Sequence, residues 1–187
     1  FDCAHASLPE VVLDEPGDID FTDPNDPDAI AALCGADGTG INADAYTVNC
    51  PDLSDYRLYT DAAEPRGDSN GGVKYDLTTP LFTDYAEKYR EVFVPAGLQA
   101  SYRSTDAFDF PVGTIIAKTF VVKSDKRDPE SSEELIETRL LIHRESGWVG
   151  LPYIWNQAKS DADLTLTGGT QSISWIDASG TPQMTNY

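Results

Sequence analysis

The sequence predicts an all-β protein, an antiparallel β-sandwich or barrel with an acidic, extended N-terminal arm and one or two short helices. From about residue 53 onward the chain consists of short runs rich in β-branched and aromatic residues. Gly, Pro, Asp and Ser separate these runs at the spacing of antiparallel strands. The 187 residues suit one domain, or one domain with an arm.

The N-terminal third is predicted to be mostly extended. Its first 26 residues are punctuated by Pro and Asp, and their one apolar run, residues 8–13, is a candidate edge strand. Residues 27–34 are predicted as a short helix, with Asp26 as N-cap, a proline at the first helical position, an acid in the first turn and Gly35 just past the end.

The remaining chain is predicted to be one β domain, residues 52–187, after an arm of residues 1–51. The predicted strands span residues 56–60, 73–77, 89–95, 99–102, 107–110, 114–123, 136–144, 147–153, 164–166 and 172–176. Alternation is clearest in 114–123 and 137–144, which are expected to pair across an acidic loop containing one helical turn at 131–134. The stretch 179–182 is typical of a linker.

The net charge of −19 is unevenly distributed. Residues 1–55 contain 13 acids and no Lys or Arg, whereas the other residues contain 19 acids and 13 bases, so the two parts contribute −13 and −6. Such a chain repels phosphate backbones and anionic lipid, which argues against nucleic-acid partners. No apolar stretch is long enough for a predicted membrane span. Cations or a basic partner are the ligands that such an acidic surface is expected to bind.

Three cysteines, Cys3, Cys34 and Cys50, lie in the acidic third. The short paired spacings of a zinc site are missing, so a disulfide in an oxidising compartment is predicted. Cys34 with Cys50 is the preferred pair because it closes a Gly- and Asn-rich loop, while Cys3 remains unassigned and other connectivities stay open. Together with a first residue, Phe1, that is not Met, this predicts a processed, extracytoplasmic protein.

Several ordered blocks carry a family resemblance. They are YDLTTPLFTDYAEKYR at 75–90, FPVGT at 110–114, IETRLL at 136–141 and GWVGLPYIWN at 147–156. Over about residues 52–176 the chain resembles the β-rich domain that precedes the heme-binding segment of secreted bacterial diheme c-type cytochromes. That resemblance implies a scaffold and docking domain of an electron-transfer protein. The chain departs from the family in lacking a C-x-x-C-H motif, so heme is expected only if the natural protein extends past Tyr187.

A candidate calcium site lies in the arm. Carboxylates recur there at alternating positions, which suits a cation that takes hard oxygen ligands. The candidate ligands are Asp14, Asp18, Asp20, Asp23, Asp26 and Asp28. A solvated acidic tether is the favoured alternative, because the Gly and bidentate Glu of an EF-hand loop are absent.

A second candidate site is an aromatic platform for a sugar, formed by Trp148, Tyr153, Trp155 and Asn156. The favoured alternative is that these aromatic residues fill the core. No G-x-S-x-G or P-loop is present, and His143 lies inside a strand pattern, so a non-enzymatic role is predicted.

Three functions therefore compete. The first is a docking module of a secreted electron-transfer protein, with a cytochrome domain or another redox partner. The second is a self-assembling extracellular subunit, in which the arm donates a strand to the next copy and calcium bridges acidic arms. The third is a carbohydrate-binding module.

Overall fold

A computed structural model of the protein describes residues 23–35 and 37–187. The described chain is mostly β, which confirms the predicted fold class. The strands are β1 Val73–Lys74, β2 Glu87–Phe93, β3 Ile115–Lys123, β4 Glu133–Arg144, β5 Gly147–Trp155, β6 Ala162–Leu164, β7 Ser172–Ile176 and β8 Pro182–Asn186. The helices are α1 Pro27–Leu33 and two 3-10 turns, Asp44–Thr47 and Leu53–Tyr56.

The six strands β1 to β6 form one antiparallel sheet in sequence order, and β7 pairs with β8 in a separate hairpin. The predicted pairing of the two most alternating segments is confirmed as β3 with β4, which are joined by an acidic loop. A register shift between Phe120 and Val121 adds one residue to β4 and changes which face its side chains reach. The helical turn predicted at 131–134 is wrong, because β4 already begins at Glu133.

Helix α1 begins as the sequence predicts. The Asp26 side chain accepts hydrogen bonds from the backbone N–H groups of Asp28, at 2.9 Å, and Ala29, at 2.8 Å. These bonds satisfy two of the amide donors that a helix start leaves without partners.

The main core lies between one face of the six-stranded sheet and the segment that contains α1 and both 3-10 turns. Ala29, Val48 and Tyr56 from that segment are fully buried with Leu140 and Tyr153 from the sheet. The described part of the predicted arm, residues 23–35 and 37–51, is therefore folded onto the sheet rather than extended. The boundary predicted between residues 51 and 52 does not separate two packing units.

Buried hydrogen bonds hold this segment in place. The Tyr153 hydroxyl donates to the carbonyl of Cys50 at 2.8 Å, and burial raises the Tyr153 pKa. The Arg144 guanidinium donates to the carbonyls of Tyr46, at 2.6 Å, and Val48, at 2.7 Å. Burial removes water from the Arg144 guanidinium and thereby lowers its pKa. The carbonyl groups that accept its hydrogen bonds partly replace that water.

The C-terminal stretch is structured, and the linker predicted at 179–182 is wrong. Those residues form the turn of the β7–β8 hairpin, where Gly180 has a φ of 88° that favours glycine. The Asp177 carboxylate accepts bonds from the Ser179 hydroxyl and the Thr181 N–H, and these donors lower the Asp177 pKa to about 2. The hairpin packs on the sheet through a small second core that includes Trp175.

Three predicted strands form only isolated contacts. Tyr56 ends a 3-10 turn, and within 56–60 only Tyr59 makes a β-bridge, to Ser69. The segments 99–102 and 107–110 meet at a single bridge between Ser101 and Asp109. In the described residues, no helix is sufficiently long and apolar to cross a membrane.

Candidate functional site

Cys34 and Cys50 form a disulfide, the pair that the Gly- and Asn-rich loop predicts. Cys50 is fully buried and belongs to the main core, so the bond joins the end of α1 to the segment that covers the sheet. Cys3 lies outside the described residues.

The candidate calcium ligands are only partly described, because Asp14, Asp18 and Asp20 lie outside the described residues. Asp23 accepts a bond from the N–H of Asn25 at 2.9 Å, Asp26 caps α1, and Asp28 is exposed in the first turn of that helix. Across 23–35 and 37–187, one group of three metal-ligating side chains has its ligand atoms close together, namely Cys34, Cys50 and Asp55. Both of its sulfurs belong to the disulfide, so this group does not offer a metal site.

A carboxylate cluster does form at the edge of the sheet, where the backbone of Asp52 makes an isolated β-bridge with Asp163 of β6. Burial and the nearby charges of Asp55, Asp161 and Asp163 raise the pKa of Asp52. Two of these carboxylates accept hydrogen bonds from the backbone. Asp55 accepts from the N–H of Asp52, and Asp161 accepts from the N–H of Ser54, both at 3.1 Å. The cluster therefore anchors the second 3-10 turn and costs electrostatic energy at neutral pH.

Replacing Asp52 with Asn is expected to stabilise the protein at neutral pH by about 0.5 kcal/mol, since this side chain is only partly shielded from water. A raised folded-state pKa means that this group stabilises the fold at low pH, and that the stabilisation is lost as the pH rises through that pKa. In urea unfolding the gain should shrink toward zero below pH 3.8, the ordinary value for Asp. The exposed Asp37→Asn is the control, and an equal gain at both pH values would contradict the assignment.

The predicted aromatic platform is wrong, because its members do not share a surface. Tyr153 and Trp155 are 0% and 2% exposed and point into the main core. Trp148 is 44% exposed and lies on the opposite face of β5, since it stands five positions before Tyr153 and seven before Trp155, and both differences are odd. The Asn156 side chain bonds to Ser160 in the turn after β5.

The face of the sheet opposite the main core, here called the open sheet face, carries a row of three cations. Arg90 on β2 lies directly opposite Lys118 on β3, and Lys118 lies directly opposite Arg139 on β4. Side chains at opposed positions of neighbouring strands project from the same face, and like charges placed in this way destabilise a sheet. A chain of net charge −19 has therefore placed three of its 13 bases at adjacent cross-strand positions.

The electrostatics of the row are only partly compensated. Desolvation lowers the pKa of Lys118, and the charges of Arg139, Arg90 and Lys88 lower it further, against a smaller opposing effect of Glu137. Arg139 donates from Nε to Glu137 Oε1 at 2.8 Å. Within the part of the chain that the structure describes, Glu137 is the carboxylate that acts on Lys118 and pairs with Arg139, so the row keeps a local excess of positive charge.

The row crosses a cleft of about 730 Å³. Ile116, Leu141 and Pro152 contribute apolar lining from the sheet, and Leu77 and Leu166 contribute it from the loops on either side. Three of these side chains, Leu77, Leu141 and Leu166, are between 45% and 63% exposed. The cleft therefore offers both apolar area and positive charge to a partner.

A series of exposed and half-buried rings, here called the aromatic strip, continues the open sheet face toward the β4–β5 turn. In order along the surface the rings are His143, Trp148, Phe110, Phe108 and Tyr102, with neighbouring centroids 4.6, 6.1, 6.2 and 5.9 Å apart. The last three pairs are turned by 90°, 50° and 63°. Rings arranged in this way leave notches between them rather than one flat surface.

His143 is part of this strip. Its Nδ1 lies 2.8 Å from the carbonyl of Phe110, and since a carbonyl oxygen only accepts, Nδ1 carries the hydrogen. Its ring stacks on Trp148 with an interplanar angle of 6°. This arrangement places the imidazole in a packing role, as its position within a strand pattern indicates.

Comparisons of the chain with protein-family models, with curated proteins and with solved structures find no match. The resemblance to cytochrome-associated β domains therefore remains an expectation from the sequence blocks. The geometry of the open sheet face is the basis for a functional proposal.

Proposed function

We propose that the protein is a non-catalytic docking module whose open sheet face binds an acidic polypeptide segment with apolar side chains. The observation that carries this proposal is the row Arg90, Lys118 and Arg139, placed at directly opposed positions above an apolar cleft. A partner that brings carboxylates to the row relieves its repulsion, and apolar side chains beside those carboxylates fill the cleft. Both gains come from one short segment.

The aromatic strip supports a polypeptide as the partner. Arginine and large aromatic residues are the types that contribute most to protein–protein affinity. The turned rings of Trp148, Phe110, Phe108 and Tyr102 offer notches for side chains, whereas a sugar ring stacks on a flat aromatic face. The cations and the strip lie on one face of β4, since Arg139, Leu141 and His143 occupy alternate positions.

The cellular setting belongs to the same proposal. A disulfide between Cys34 and Cys50 supports an oxidising, extracytoplasmic compartment. The ordered sequence blocks support a docking role within a secreted electron-transfer protein, with heme or a redox partner supplied outside these 187 residues. Heme absorption in the natively purified full-length protein is the expected result, and a heme-free native protein that binds no cytochrome would argue against this setting.

The docking proposal is tested with a fluorescein-labelled peptide of sequence LDLELD and its neutral counterpart LNLQLN, followed by fluorescence anisotropy. The acidic peptide is expected to bind and the neutral one to bind at least about tenfold more weakly, which corresponds to one close charge pair. Lys118→Gln with Arg139→Gln is expected to remove most of that preference. Added salt should weaken the acidic peptide selectively.

The matched control is Lys123→Gln, which removes a cation from the same strand outside the cleft, where Lys123 donates to the carbonyl of Pro129. This variant should keep the preference for the acidic peptide. Equal affinity for both peptides, or a preference that survives the loss of Lys118 and Arg139, would show that the row is not the docking site.

A further inference from the structure

The chain itself contains a segment with the chemistry that the open sheet face selects. Residues 1–22 include six acids and no Lys or Arg. Within them, residues 8–13 (LPEVVL) form an apolar run that contains one Glu, and Asp14 and Glu15 follow directly. Apolar side chains beside carboxylates are the features that the cleft and its cations complement.

The described chain begins on the core side of the sheet, near the end of β4. The backbone N–H of Asn49 donates to the carbonyl of Pro24 at 2.8 Å, and Arg144 donates to the Asn49 side chain at 3.0 Å. Arg144 ends β4, so residue 24 is held beside the β4–β5 turn. The same turn is flanked by His143 and Trp148, the end of the aromatic strip nearest the sheet.

The distance from this point to the cations is within the span of the available chain. Arg139 lies five residues before Arg144 on β4, a distance of about 17 Å along an antiparallel strand. The nine residues from Asp14 to Asp23 span up to about 30 Å when extended. Passing from the core side to the open sheet face around the β4–β5 turn adds about 10 Å, so the carboxylates of Asp14 and Glu15 reach the row when the intervening chain is nearly extended.

We propose that residues 8–20 of the protein bind intramolecularly to its own open sheet face, and that an external acidic partner must displace them. This inference rests on the proposed docking function and names an occupant of the same site. Intramolecular attachment gives the segment an effective concentration in the millimolar range, so even weak contacts keep it bound. It also gives a role to the uneven charge of the chain, because the acids of residues 8–20 offset the repulsion within the cation row.

The first test measures the affinity of the LDLELD peptide for the whole chain and for a variant that lacks residues 1–22. The truncated variant is expected to bind the peptide about tenfold more tightly, because it removes a competitor of millimolar effective concentration. Circular dichroism checks that this variant folds. A full-length variant with Glu10→Gln, Asp14→Asn and Glu15→Gln should show a similar gain without any deletion, whereas Asp2→Asn should not.

A second measurement locates the segment directly. Carbodiimide joins a lysine to a carboxylate only when the two are in contact, so cross-links between Lys118 and Asp14 or Glu15 are expected within one chain. Mass spectrometry of the monomer band identifies them. The Lys118→Gln with Arg139→Gln variant should lose these cross-links and should also lose the gain in peptide affinity on truncation.

The outcomes separate this inference from the docking proposal. Unchanged peptide affinity after truncation, together with weaker binding by the Lys118 and Arg139 variant, would overturn intramolecular binding and leave the docking function intact. A peptide that fails to bind every variant would overturn both. Cross-links found only between chains, with a mass by light scattering that rises with concentration and requires residues 8–13, would replace intramolecular binding by self-association.

Discussion

Removal of the Cys34–Cys50 disulfide is expected to lower the free energy of unfolding by about 3 kcal/mol. The bond closes a loop across a sequence separation of 16, and in the chain-entropy model a loop of that size restricts the unfolded chain by about this amount. The loop includes the first 3-10 turn, Asp44–Thr47, and residues that cover the sheet, so its release loosens one side of the main core. Urea unfolding followed by tryptophan fluorescence measures the change.

Two versions of the experiment separate the covalent bond from side-chain packing. Reduction of the protein removes only the bond, whereas Cys34→Ala with Cys50→Ala also removes two sulfur atoms, one of them in the fully buried Cys50. Both are carried out with Cys3→Ser so that the third thiol cannot exchange. A larger denaturant slope should accompany the loss, because the unfolded chain expands. An unchanged midpoint in the reduced protein would contradict this account.

The parts of the fold that follow local rules could be predicted from the sequence. Alternating apolar residues located β3 and β4, whose periodicity is set by burial of one face. The start of α1 followed from Asp26 and the proline after it, since capping depends on adjacent residues alone. The disulfide joins the pair that the sequence favours, because Cys34 and Cys50 flank a Gly- and Asn-rich loop, although the sequence alone also allows pairings with Cys3.

The elements that depend on distant contacts were not predictable in this way. Strand β8 has no apolar alternation, and it is a strand because β7 pairs with it and Trp175 anchors the hairpin on the sheet. Residues 37–51 belong to the predicted arm because Gly, Asn and Asp are frequent there, yet Ala45, Val48 and Cys50 are buried in the main core. Tertiary packing overrides composition in both cases.

The cation row shows the same limit for the candidate site. Arg90, Lys118 and Arg139 belong to three strands, and only the pairing register brings them side by side. Strand alternation indicates which residues share a face, but it does not indicate which residues of two strands are opposite each other. The register shift beside Phe120 also displaces the pairing of β3 and β4 by one residue, so counting along the two strands does not give the opposed residues on both sides of it.

The two tryptophans of β5 lead to the second large expected effect. Trp155→Ala is expected to destabilise the protein by about 3 to 5 kcal/mol, the usual cost of removing a large buried ring. Trp155 is 2% exposed, and its Nε1 donates to the Thr138 hydroxyl at 3.1 Å, inside a chain that continues to Thr119 at 2.8 Å. The substitution leaves both a cavity and a buried hydroxyl that has lost a donor. Urea unfolding monitored by circular dichroism measures the loss.

Trp148→Ala is the matched control on the same strand. This ring is 44% exposed and contacts His143 and Phe110, so its removal should cost about 1 to 2 kcal/mol of stability, the contribution of two aromatic pairs. Because it belongs to the aromatic strip, the same change should weaken binding of the LDLELD peptide. A Trp155→Phe variant separates volume from the hydrogen bond, since Phe fills most of the cavity but cannot donate to Thr138. Equal destabilisation by Trp148→Ala and Trp155→Ala would mean that β5 does not divide its two faces between the core and the docking surface.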